Sequence, residues 1–144
     1  MMIAFNVPAV PVAQPRPRAF VVGGSGRMAD VPSKHPIHDF KASVRVTFAA
    51  VYQGPPLEGP LAMTCVFVMP RPRNLIWKTK PMPRVPYTVS KNDWDNLGKG
   101  VSDALNGVAY RDDGQLWDVR VQRWIAAGDE APHVEICLEV EMQR

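Results

Sequence analysis

Residues 91–115 read KNDWDNLGKGVSDALNGVAYRDDGQ and hold five carboxylates, Asp93, Asp95, Asp103, Asp112 and Asp113, in a chain whose 17 Lys+Arg outnumber its 14 Asp+Glu. Hard oxygen donors at this density suit Mg²⁺ or Mn²⁺, which retain several waters and share their ligation with a substrate phosphate. Simpler roles also exist for each acid. Asp93 and Asp95 flank Trp94 where a helix begins, and a helix N-terminus favours carboxylates as caps. Asp112 and Asp113 precede Gly114, which is ordinary turn chemistry. Taken together, four carboxylates bracket one short helix. An EF-hand loop is a poor rival, because Leu97 and Ala104 stand where that loop needs oxygen ligands. A dehalogenase-type D-x-D follows a buried apolar strand, whereas PYTVSKN leads into this one. Lys99, four residues after Asp95, admits two readings. It is either an i,i+4 helix pair worth a few tenths of a kcal/mol, or a cation that stabilises charge on a phosphorane-like transition state or activates the attacking water.

Such residues act together only if the chain brings them together. DWDNLGKGVSDALNG predicts a helix: Leu97, Val101, Ala104 and Leu105 share one apolar arc, Asp95, Lys99 and Asp103 the opposite one, and Asn106-Gly107 is a stop signal. A helix of about 12 residues separates its ends by about 18 Å. GVAYRDD must therefore run back along it, with VAY as a strand-like return segment, for Asp113 to reach Asp93 and Asp95. Upstream, MIAFNVPAVP reads as a strand, and AQPRPRAFVVGGSGRM as a loop too punctuated by Pro and Gly to be an element. Residues 38–53 place Phe40, Val44, Phe48 and Val51 at helical spacing, and residues 60–69 form a strongly apolar strand. Residues 70–92 carry five prolines and read as a long exposed loop containing Trp77 and Tyr87. GQLWDVRVQRWIA and HVEICLEVEM alternate as two half-buried strands, expected to be antiparallel neighbours, with Trp117, Val119 and Val121 on one face of the first. The expectation is a single α+β domain: a small mixed β-sheet with two helices, in the order β-α-β-(basic loop)-α-β-β.

Composition narrows the class. At 144 residues, 46% apolar and 22% charged, the chain fits one ordinary soluble domain. It has no apolar run long enough to span a membrane and no signal-peptide pattern, so a cytoplasmic location is expected. Cys65 and Cys137 lie in strand-like segments without metal or disulfide spacing and are expected as reduced core residues. His35 and His38 lack a second ligand pair and read as loop or helix-entry residues. The net charge of +3 is modest, but its distribution is not. Arg71, Arg73, Lys78, Lys80, Arg84 and Lys91 occur between Pro70 and Asn92 without one acid, and Arg16, Arg18 and Arg27 precede Asp30 likewise. This segregation suggests a polyanion partner; solvated basic loops are the plainer alternative.

The pattern K-x-D-x-D-N-L-x-K-x-x-x-D-A-L-N-G followed by R-D-D-x-Q, from Lys91 to Gln115, resembles the RusA family of Holliday junction resolvases found in phages and prophages. QPRPRAF, after the first strand, is similar to the basic Pro/Arg loop of that family. The resemblance implies a homodimeric, Mg²⁺-dependent endonuclease (Mn²⁺ a substitute) that cuts branched DNA, the four-way junction, in paired symmetric positions to leave 5′-phosphate ends. Position by position it implies Asp93, Asp95 and Asp113 as metal ligands, Lys99 as the catalytic lysine, and Asn96 and Asp112 as supporting residues. Arg16, Arg18, Arg71, Arg73, Lys78, Lys80, Arg84 and Lys91 become candidate phosphate contacts. Trp94 departs from the pattern, since an aliphatic residue is commoner there. A broader flap nuclease and a non-catalytic branched-DNA-binding module remain as alternatives.

Overall fold

MIAFNV alternates apolar and polar residues, and it forms strand β1 (Met2–Val7) with Ile3, Phe5 and Val7 buried. The computed structural model describes residues 1–16 and 18–141, of which residues 18–20 are described by their backbone. Two strands come after β1, β2 (Arg18–Val22) and β3 (Ser25–Ala29), which pair as a separate antiparallel hairpin. The expected irregular loop is therefore corrected. Gly23 and Gly24 both take positive φ (56° and 80°), the conformation a two-residue hairpin turn requires, so the glycines shape an element here instead of breaking one.

Helix α1 (Pro36–Val51) starts where His35 Nδ1 accepts from the Ile37 amide (3.0 Å), with Pro36 in the first turn, where its missing N–H costs nothing. Ile37, Phe40, Val44 and Phe48 form its buried face, while Val51, expected there, is half exposed at the end of the helix. The apolar run LAMTCVFVM becomes β4 (Leu61–Met69). After it come β5 (Val85–Pro86), α2 (Trp94–Leu105), β6 (Leu116–Ile125) and β7 (His133–Val140).

The five-stranded sheet runs β1-β7-β4-β6-β5, with β4 and β6 parallel and the other pairs antiparallel. The expectation that β6 and β7 are neighbours is overturned, because β4 lies between them. Its inward residues Leu61, Met63, Cys65 and Phe67 are almost fully buried, and the most apolar strand takes the centre. Register carries one core row across the sheet: Phe5 opposite Ile136, Ile136 opposite Cys65, Cys65 opposite Val121. Phe5 meets Phe48 of α1 edge-on with centroids 5.6 Å apart, and a β-carbon on Gly98 of α2 would lie 3.2 Å from Val121. Both helices thus cover the same face of the sheet, giving a two-layer α+β domain around one core. Cys65 belongs to that core, and burial pushes its thiol up to about 12. Cys137 falls on the opposite, open face by alternation and is only half-buried, which corrects its expected core placement.

Residues 70–92 are more ordered than the expected free loop. Val85 and Pro86 pair with Ile125 and Trp124 at the edge of the sheet, where a proline's missing donor faces outward. Among the described residues, no helix is long and apolar enough to cross a membrane.

Candidate active site

The approach to α2 is set by Asn92, whose φ of 54° is the one positive value among the described non-glycine residues. Asn tolerates the left-handed region better than most side chains. Its Nδ2 donates to the Tyr87 hydroxyl (3.2 Å), and its carbonyl accepts from Arg123 (3.2 Å). Asp93 then occupies the N-cap position, but its carboxylate caps nothing: Oδ2 accepts from Arg16 Nη2 at 3.2 Å. Asp95 lies in the first turn and accepts through Oδ1 from the neighbouring Asn96 amide (3.0 Å). The Asn96 carbonyl accepts from the Gln14 amide (2.9 Å). That contact fastens the segment leading to Arg16 against α2. Gly100 permits the approach, since a β-carbon there would sit 3.6 Å from the Val12 carbonyl and 3.3 Å from Ile37 Cδ1.

After α2 the chain reverses in a tight turn, not as the strand-like segment expected of VAY. Gly107 takes φ 77°, and its amide donates to the Tyr110 carbonyl (2.8 Å). Tyr110 is fully buried, and its hydroxyl donates to the Ser102 carbonyl (2.7 Å). Burial pushes this phenol above its usual range, and the nearby negative charges of Asp113 and Asp103 add to the shift. Gln115 secures residues 111–114. Its Oε1 accepts from the amides of Arg111 (3.0 Å) and Asp112 (3.1 Å), and its Nε2 donates to the carbonyls of Leu57 and Gly59 (3.0 Å each). Asp112 begins the 3-10 turn Asp113–Gln115 and so has a local structural role. Tyr110 and Gln115 position Asp113. In the sequence Tyr110 did not stand out from ordinary core residues, and Gln115 appeared as the end of the R-D-D-x-Q pattern with no role attached; the tertiary contacts give both their roles.

These two supports bring Asp113 to α2. Asp95, Lys99 and Asp113 line one cavity of about 280 Å³ together with Trp94, Gly98 and Ser102, over an apolar base of Met63, Leu116, Val119 and Val121. Gly98 lets the helix lie close on Val121, bringing its polar arc down to the sheet. Lys99 Nζ is 3.7 Å from Asp103, so its i,i+4 partner is Asp103 and not Asp95, which turns back on its own helix. Among the described residues, Asp95 and Asp113 form no ion pair, and their oxygens keep acceptor capacity facing the cavity. Asp93 does not line the cavity, being held by Arg16. Asp93, Asp95 and Asp113 do not place ligand atoms within 4.8 Å of one another, so two carboxylates share the cavity, and their oxygens are of the hard type that suits a divalent cation.

A second cluster lies elsewhere. Glu130, His133 and Glu135 place potential ligand atoms within 4.8 Å of one another, as no other trio does among the described residues. Arg84 fills that cluster. Its Nε donates to both Glu130 oxygens (2.9 and 3.0 Å) and its Nη2 to Glu135 (2.7 Å). The Arg84 hydrogen bond holds Glu130 below the usual carboxylate range. At Glu135 burial opposes ionisation, but bonds from Arg84 and His133 outweigh it and the net shift is downward. The cluster is an ion-pair anchor for the basic segment.

The eight basic candidates divide accordingly. Arg84 is held in that anchor, and Arg71 donates to the carbonyls of Leu75 (2.6 Å), Pro83 (2.8 Å) and Ala126 (3.2 Å), so both fasten the segment to the domain. Arg71 and Lys80 lie over the Trp77 ring at 4.8 and 4.2 Å, and Tyr87 is buried beneath Arg123, so both aromatics serve internal packing. Arg73, Lys78, Lys80 and Lys91 are exposed. Arg16 is exposed and paired with Asp93, and the side chain of Arg18 lies outside the described residues.

Comparison with known proteins identifies a family for the chain. A family model described as "Endodeoxyribonuclease RusA" matches residues 8–139, which includes every residue of the cavity. A relative from Bacillus subtilis (strain 168), described as "Uncharacterized protein YqaN", is 32% identical over 140 residues, covering 94% of this chain and 94% of that protein.

Proposed function

This chain belongs to the RusA family of endodeoxyribonucleases, and from that membership we propose that it is a Mg²⁺-dependent, structure-selective nuclease that resolves four-way DNA junctions by paired cuts in recombination and repair. The observation that carries this reading is the convergence of Asp95, Lys99 and Asp113, from two separate segments, on one cavity. Asp95 and Asp113 would hold the divalent ion, and Asp93, paired here with Arg16, is the third candidate ligand. When bound, the ion supplies Lewis-acid polarisation of the scissile phosphate and lowers the pKa of a coordinated water. Lys99 reaches the same cavity and offsets the negative charge that grows on the phosphoryl oxygens as water attacks phosphorus. The P–O3′ bond breaks, leaving a 5′-phosphate and a 3′-hydroxyl. Arg73, Lys78, Lys80 and Lys91, with Arg16 and Arg18, contact phosphates and position the DNA without reading its sequence. A homodimer supplies two such sites about a two-fold axis, matching the paired cuts. A bacterial cytoplasm, with phage or prophage origin, is the fitting location.

The test is cleavage of an end-labelled mobile four-way junction with and without Mg²⁺. Cleavage by the wild type, and loss of cleavage with retained binding in Asp95→Asn, is the expected pattern. Junction binding indifferent to Mg²⁺, with no nicking at any metal concentration, would sink the reading in favour of a non-catalytic DNA-binding module. Preference for flap over four-way substrates would replace the junction specificity but keep the nuclease.

A further inference from the structure

We propose that Trp94 is a stacking platform for a nucleobase adjoining the scissile phosphate, and that through it the enzyme selects DNA whose bases are unstacked at the cut. The inference rests on the nuclease reading above. Trp94 is 61% exposed, an unfavourable state for so large an apolar side chain in water, and among the described residues its ring stacks on no other aromatic and carries no cation. It stands between Asp93 and Asp95 and lines the same cavity as Asp95, Lys99 and Asp113. A phosphate seated against those groups therefore brings its own base within reach of the indole. The other aromatics of the basic segment are not free for this role, since Trp77 carries Arg71 and Lys80 on its ring and Tyr87 is buried.

The sheet beside the cavity points the same way. Leu61 pairs with Leu116 but Ala62 pairs with Asp118, so Trp117 is the extra residue of a β-bulge. The bulge places Leu116 on the core-facing row with Val119 and Val121, where the simple alternation expected Trp117, and leaves Trp117 62% exposed. Bulges commonly re-aim a side chain next to an active site. Leu116, Val119 and Val121 all line the cavity, so its floor and one wall are apolar, while its charged groups are limited to Asp95, Lys99 and Asp113. That division suits a nucleotide, with charge for the phosphate and an apolar aromatic surface for the base. A base inside continuous duplex offers no free face, so stacking on Trp94 needs a branch point or another unstacked position. Because every base has a π-face, the platform adds structural selectivity without sequence preference.

The experiment is a cycle between protein and DNA. The wild type is first assayed on the four-way junction and its cut mapped. Junctions then carry an abasic residue immediately 5′ or 3′ of that cut, and each is assayed with wild type, Trp94→Ala and Trp94→Phe. The expected result is a loss of about tenfold or more in kcat/KM for Trp94→Ala on the intact junction, with rescue by Phe. One of the two abasic junctions should lower the wild-type rate similarly, with no further loss in Trp94→Ala. Equal activity of Trp94→Ala and wild type, or full additivity of the two lesions, overturns the platform while leaving the nuclease reading intact. If the wild type cuts no junction, the functional reading fails instead. Sedimentation of Trp94→Ala checks the remaining occupant: conversion of a wild-type dimer to monomer assigns the indole to self-association and overturns the proposal.

Discussion

Gln115 gives the sharpest test of how Asp113 is positioned. Replacing it by Ala removes four hydrogen bonds at once: two accepted by Oε1 from the amides of Arg111 and Asp112, and two donated by Nε2 to Leu57 and Gly59. The freed backbone groups of this half-exposed loop can turn to water, so each bond counts near the lower end of its range, about 0.5 kcal/mol, or roughly 2 kcal/mol together. Expressed globally, that lowers Tm by about 4–8 °C for a chain of this size. A local opening of residues 111–114 instead leaves Tm higher but accelerates amide exchange at Arg111 and Asp112 by about tenfold or more. Either way Asp113 loses its fixed position, and if it acts as proposed, a displacement of about 1 Å can cost about a hundredfold. Junction cleavage should therefore fall at least tenfold in kcat, with little change in binding. Gln115→Glu separates the halves: its carboxylate can still accept from both amides, but it cannot donate to Leu57 and Gly59. The reasoning is refuted if Gln115→Ala melts within about 1 °C of wild type, exchanges Arg111 and Asp112 at the wild-type rate and cuts normally.

The division of the basic residues leads to two further outcomes. Lys78→Ala should weaken junction binding with unchanged Tm and reduce the salt slope, log K against log[salt], by about 1, as expected for one phosphate contact. Arg84→Ala should instead lower Tm, because it leaves Glu130 and Glu135 without their cation, and a change in salt slope at constant Tm would refute its role as an anchor. The anchor also predicts a pH dependence. Glu130 and Glu135 titrate below their ordinary 4.5 in the folded chain, so the unfolded chain binds their protons first. Their contribution to stability is complete above that value and is lost as pH falls through the depressed ones. Glu130→Gln should therefore destabilise the protein most near neutral pH, and its Tm should converge with wild type in acid. A constant gap across the titration would count against the linkage.

Much of the site was legible in the linear chain because its signals are local. The D-x-D-N and D-D motifs, the helical arc of Leu97, Val101, Ala104 and Leu105, and the apolar run of β4 can be read from spacing alone, as can the two helices and the α+β class. Side-chain period is fixed by backbone geometry, so it can be read without knowing partners. Even so, the Gly-Gly hairpin passed for a loop, because proline and glycine punctuation outweighed the turn signal. The bulge at Trp117 was hidden too, since a bulge depends on the partner strand and shifts the alternation by one residue.

What folding alone decided concerns residues distant in sequence. The position of β4 between β6 and β7 depends on which strand buries both of its edges, and no local pattern records that. The identity of counter-ions is similarly non-local. Arg84 meets Glu130 and Glu135 across 46 and 51 positions, and Arg16 meets Asp93 across 77. Basic residues of one composition thus became anchors, a carboxylate partner and exposed cations. The convergence of Asp113 with Asp95 and Lys99 depends on Tyr110 and Gln115, whose bonds join the turn to α2 and to residues 57–59. The chain supplied the reactive groups and their local elements; only the packed domain, by closing loops over one another, could fix which groups face the same cavity.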